Sequence, residues 1–151
     1  MSHCQTGMRG YAMRRPKTGH GLQWLCTVLL AVAFLTGCTR QELTPGERAA
    51  AVAKSCYEAL YDGHPELFLD GRVGAEDMPQ SYRDQLLEAY RRHVTQVNNQ
   101  HRGVSSVRVS RAEMDSTLHL MQVFLVLGYG DNSQEEMVVP MVEQQGKWLM
   151  K

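Results

Sequence analysis

The spacing of apolar residues along this chain takes three forms in turn. Trp24 to Leu35 (WLCTVLLAVAFL) is a charge-free apolar run. Further on, apolar residues recur at Ala49, Val52, Ala53, Cys56, Leu60 and Tyr61, steps of three and four that mark one face of a helix. Thr44-Pro45-Gly46-Glu47 precedes it as a capping box with Pro at the first helical position, and Gly63 predicts its stop. Pro65 to Asp70 allows one more turn, with Leu67 and Phe68 facing inward, before a loop over Gly71 to Met78. A second long helix is predicted from about Pro79 to Gln100, capped by Asp77 or Ser81. Its apolar stripe is Tyr82, Leu86, Ala89, Tyr90, His93 and Val97. Glu88 and Arg92 stand in the favourable i,i+4 order on the polar face.

After Gly103 the period falls from 3.6 to 2. Val104 to Arg111 alternates, with Val107 and Val109 on one face. Leu118 to Tyr129 reads as a long strand whose centre, Val123 to Leu127, is apolar on both faces. Such a strand calls for cover on two sides, helices on one and a cavity wall or partner on the other. Asp131-Asn132-Ser133 is a turn, and Gln134 to Glu143 returns with Pro140 implying a bulge or an edge. Gln145-Gly146 predicts a hairpin into Lys147 to Lys151, from which Trp148 closes the core. Helices followed by an antiparallel meander give an α+β layout.

The first apolar run is too short for a stable membrane span. Twelve residues at helical rise cover roughly 18 Å, against a hydrocarbon core of ~30 Å. Extended from Leu22 to Cys38 it reaches the lower limit, so an uncleaved anchor stays as the alternative. Arg14, Arg15 and Lys17 ahead of the run, and small residues behind it, give the three zones of a secretory signal. The segment is of ordinary length if translation starts at Met8 or Met13 and long if at Met1. Leu35-Thr36-Gly37-Cys38 resembles the bacterial lipobox. That resemblance implies cleavage before Cys38 and acyl chains on it, hence a membrane partner. The expected organisation is a signal peptide over 1–37, lipidated Cys and tether over 38–44, and one domain over 45–151. No Asp follows Cys38, and the tether has no acidic run, so the expected address is the outer membrane of a bacterial envelope, facing the periplasm.

Charge sharpens this division. Residues 1–37 contain four basic residues and no acid, leaving 12 basic against 16 acidic residues in the remainder. A mildly acidic domain repels phosphate backbones, which argues against nucleic acid as partner. Cys4 and Cys26 fall in the signal and Cys38 at the anchor, so Cys56 is the domain's single cysteine, expected on a buried helical face.

The helix ending Tyr61-Asp62-Gly63, the long charged helix, Gly103-Val104-Ser105-Ser106-Val107, Leu127-Gly128-Tyr129-Gly130-Asp131 and Gln145-Gly146-Lys147-Trp148 together resemble the nuclear transport factor 2-like (cystatin-like) superfamily. The likeness is narrower to small bacterial lipoproteins of that fold with no agreed activity, and spans Pro45 to Lys151. It implies helices packed against a curved antiparallel sheet, the cone of that superfamily. In some relatives a cavity borders the inward face of the long helix. Tyr57, Tyr61, Tyr90, His93, Phe124 and Trp148 are therefore the candidate pocket, or else ordinary core. His93 is either an interior hydrogen-bonded imidazole or a base and ligand contact. Superfamily isomerases use a buried acid, whereas Glu58, Asp62, Asp84 and Glu88 here fall on polar helix faces and Asp70, Asp115 and Asp131 in turns. His64, His93, His101 and His119 lack ligand spacing, and no phosphate loop or nucleophile motif occurs, so no metal, cofactor or catalytic residue is expected. The expectation is a non-catalytic domain binding a small apolar ligand or an envelope protein. The alternatives are a cavity enzyme of isomerase or hydratase type using His93, and a structural subunit.

Overall fold

A computed structural model describes residues 42–151, so the expected signal and Cys38 lie outside the described residues. Helix α1 (Pro45–Tyr61) starts as its capping box dictates: the Thr44 amide donates to Glu47 Oε2 at 2.7 Å and the Glu47 amide to Thr44 Oγ1 at 3.2 Å. Asp62 caps its C-terminus and Gly63 follows at φ 91°, a conformation glycine adopts without a Cβ penalty. Buried Ala49, Ala50 and Ala53 let α1 lie close on the sheet, with Leu60 filling the far end.

Helix α2 (Pro65–Asp70) buries Phe68 and Leu69, whereas Leu67, expected inward, is exposed. Six residues give less than two turns, and the inward arc is centred on Phe68 and Leu69, which leaves Leu67 facing solvent. Helix α3 (Gln80–His101) has Pro79 at its N-cap and no side-chain cap, so neither Asp77 nor Ser81 serves. Its stripe is rotated from the expected one. Leu86, Leu87, Tyr90, Val94 and Val97 turn inward, while Tyr82, Ala89 and His93 are exposed. Arg102 (φ 61°) and Gly103 (φ 82°) then swing the chain into the sheet.

The sheet is an antiparallel meander, β1 (Val104–Asp115), β2 (Leu120–Tyr129), β3 (Gln134–Gln144) and β4 (Lys147–Met150), in that order. Val107 opposes Leu127, Val123 opposes Val139, and Met141 opposes both Met121 and Met150, all on the helix-covered face. Val123, Leu125 and Met141 have no solvent exposure there. Two register shifts in β1, at Ser105 and Ser110, were not signalled by alternation. Such bulges bend a strand and protect an edge, and β1 is an edge.

Pro140 sits without a bulge opposite Gln122. Its carbonyl accepts from Lys151 at 2.9 Å, just past the end of β4, where a missing amide costs least. On its far side β4 is held by the segment after α2. The Met150 amide donates to the Gly71 carbonyl at 2.8 Å and the Val73 amide to Met150 at 2.9 Å, around a parallel bridge between Arg72 and Met150.

The second face of β2 is covered differently from expectation. Phe124 points away from the helices, and the Arg111 guanidinium lies 3.4 Å above its ring. Glu113 and Glu136 hold Arg111 there at 2.9 and 3.1 Å. A long cation thus does on this face what a helix does on the other.

Candidate functional site

Four of the six candidate pocket residues gather along the seam between α1 and α3. Tyr57 and Tyr90 both meet the Phe68 ring edge-on, each with centroids 5.1 Å apart, and Arg72 reaches the Tyr90 hydroxyl at 3.5 Å. One turn further along α1, the Tyr61 hydroxyl lies 3.4 Å from His93 Nε2. Phe124 belongs to the opposite face of the sheet and takes no part. Trp148 is buried in the core from β4, with an indole nitrogen that has no hydrogen-bond partner. Cys56 is half-buried, which pushes its thiol pKa up by desolvation.

His93 is an exposed residue at the margin of the seam, not an interior one. The reason is geometric: Tyr90 and Val97 flank it at three and four positions on α3, and both lie nearer the stripe's centre. Interior packing therefore falls to Val94 and Val97.

The seam continues into residues that the helical stripes did not single out. Tyr129 is buried at the end of β2 and donates to Glu135 Oε2 at 2.7 Å, while His101 stacks on its ring at a centroid distance of 4.6 Å. His101 Nδ1 lies 2.9 Å from Asp131 Oδ2. A signal for Tyr129 existed, since counting by twos from Val123, Leu125 and Leu127 puts it on the buried face. His101, Glu135 and Asp131 are brought in by tertiary structure, and no local pattern announces them.

Burial pushes the Tyr61 hydroxyl up to about 12, with Tyr57 and Glu135 adding to the rise. Burial and the Glu135 hydrogen bond raise Tyr129 further still. Both phenols therefore stay protonated across the physiological range and do not serve as bases; the Tyr129 proton is already donated to Glu135, which leaves Tyr61 as the phenol at the surface of the seam. Tyr61 lines a depression of about 120 Å³ with Glu58, Asp62 and Val104 to Val107. Enclosed small-molecule sites are typically ~300–1,000 Å³. A larger hollow of about 470 Å³ runs over Glu88, Arg92 and Thr95, the solvated outer face of a single helix. Among the described residues no cluster of His, Cys, Asp or Glu has the arrangement of a metal site, and no helix is long and apolar enough to cross a membrane.

Asp131 gives the site a testable pH dependence. Hydrogen bonds from the Ser133 side chain and amide, then from His101, pull its carboxyl from 3.8 down to about 2. A depressed folded value means that its contribution is complete above 3.8 and is lost as pH falls through about 2. Asp131→Asn should lower the denaturation midpoint at pH 5, and the gap from the wild type should close between pH 4 and 2. A gap constant over that range contradicts the assignment.

No family model and no curated protein matches this sequence. In three dimensions the chain aligns with a Campylobacter jejuni structure provisionally assigned as an NTF2-like transpeptidase, solved at 2.00 Å. The alignment has a TM-score of 0.53 and 12% identity, and covers 66% of this chain and 94% of the other. With helices followed by an open, curved four-stranded antiparallel sheet, the chain has the nuclear transport factor 2-like α+β fold.

Proposed function

We propose that this chain is a lipid-anchored protein of a bacterial envelope whose domain binds a partner without catalysis. The observation that carries the binding reading is the seam itself. Tyr61 and Tyr129 are held as neutral donors, and His93 and Glu135 stand beside them within hydrogen-bond range. Of these, Tyr61 lines a depression of about 120 Å³, a size that fits contact with a protein surface better than an engulfed small molecule. Support for the anchor is the order of positive region, apolar run and Leu35-Thr36-Gly37-Cys38; with no Asp after Cys38 and no acidic run in the tether, the proposed address is the outer membrane, facing the periplasm.

Cys38→Ala should abolish incorporation of labelled palmitate and leave the uncleaved precursor. A mutant that still takes up palmitate rejects the anchor. For the seam, a photo-crosslinker at position 93 in intact cells should give an envelope-protein adduct that Tyr61→Phe weakens. Turnover of a small substrate that depends on His93 would replace binding by catalysis.

A further inference from the structure

We propose that the tip of the β1–β2 hairpin, together with Leu43, is a membrane-contacting patch that seats the domain on the lipid surface to which it is tethered; the inference rests on lipidation at Cys38. Three large apolar side chains are conspicuously solvent-facing at one end of the domain: Leu43 (57% exposed), Met114 (57%) and Leu118 (59%). Their common location follows from the register. Met114 opposes Met121 on the last rungs of the hairpin, and a Cβ placed on Gly46 would lie 3.8 Å from Met121 Cε and 3.6 Å from Ala112 Cβ. Helix α1 thus begins directly over the hairpin end, and Leu43 immediately precedes it.

The turn is built to hold this presentation. Asp115 Oδ1 accepts from the Thr117 and Leu118 amides at 2.9 and 3.0 Å, and Oδ2 accepts from Gln122 Nε2 at 2.9 Å. Three hydrogen bonds aim the carboxylate into the turn while Leu118 is lifted out of it. Two further acids here are engaged within the domain, Glu113 by Arg111 and Glu47 by Thr44, while Glu42 beside Leu43 is exposed on the tether side. Leu43, Met114 and Leu118 thus stand exposed at this end among the small polar side chains of the turn, and the carboxylates of Asp115, Glu113 and Glu47 are turned to partners within the domain.

Chain length chooses the occupant. Five residue steps separate Cys38 from Leu43, at most about 18 Å even when fully extended. An acylated Cys38 sits at the lipid boundary, so this end of the domain is held beside the bilayer. A patch of three side chains is too small to bind a membrane from solution. Tethered, it meets the surface at an effective concentration in the mM range, where weak apolar contact suffices.

The test uses the full lipidated protein in phosphatidylcholine vesicles, with and without bromine on the acyl chains. Trp148 is buried and serves as the unquenched background. Interfacial side chains reach ~5–10 Å into the boundary, so the added emission of Leu118→Trp should fall by roughly half with brominated lipid. Val138→Trp, half-exposed on the outer sheet face, should not be quenched. Palmitate labelling of each variant is read in parallel. Labelled protein whose Leu118→Trp emission is unquenched, or quenched no more than Val138→Trp, overturns the patch and leaves the anchor standing. Wild-type protein without label overturns the anchor, and the patch with it.

Discussion

Trp148→Ala should lower the free energy of unfolding by about 3–5 kcal/mol, the range for removing a large aromatic from a packed core. Trp148 is 8% exposed and belongs to the same cluster as Leu60, Phe68, Val139 and Met141. It stands opposite Glu143 on the shortest strand, so its ring is much of what β4 contributes to the interior. Trp148→Phe should cost much less. The indole nitrogen is buried without a partner, and deleting a donor in that state removes a desolvation penalty of about 1–3 kcal/mol while most of the ring is kept. Urea midpoints followed by circular dichroism decide the matter, because the fluorophore is itself removed. If Phe proves as costly as Ala, the indole nitrogen has an acceptor in solution, and a bound water or ligand beside it becomes the object of search.

Gly130→Ala ranks second, at about 1–3 kcal/mol from overpacking. A Cβ on Gly130 would overlap the Arg102 carbonyl oxygen and come within 2.9 Å of Arg102 Cβ. Both belong to a tight left-handed turn with little room to yield. The contact joins the α3–β1 turn to the β2–β3 turn. Gly130 donates to the Gly103 carbonyl at 2.9 Å and Asp131 to that of His101 at 3.0 Å. Hydrogen exchange at amides 130 and 131 should therefore accelerate along with the loss of stability. A stable mutant with unchanged exchange at those two amides would show that the turns separate freely.

Much of the architecture was legible because local signals agree with tertiary demands. Thr44 to Glu47 caps α1, Gly63 stops it, and the apolar run from Val123 to Leu127 falls within β2 as a strand. The expected order of helices and strands is the observed one. Leu67, His93 and Phe124 show where reading by pattern fails. Leu67 and His93 lie at the margins of helical stripes, and a stripe fixed only to within one residue cannot tell margin from centre. Phe124 lies in a run apolar on both faces, which gives no clue to which face the helices cover. The sites of the seam were half visible: tyrosines on α1 follow from its period, whereas Glu135 and Asp131 arrive from strands and turns far along the chain.

The clamp on β4 also sets the order in which the molecule is completed. Met150 is bonded on one side to Met141 and on the other to the backbone of Gly71 and Val73, nearly eighty residues upstream. Closing so long a loop raises contact order and slows the search for the native state. During vectorial synthesis, any nascent chain that has not reached residue 150 lacks the strand on which the α2–α3 loop and the open side of β3 both depend. The first hairpin and α1 can associate while the ribosome is still at work, but the domain stays unsealed until its final strand has emerged.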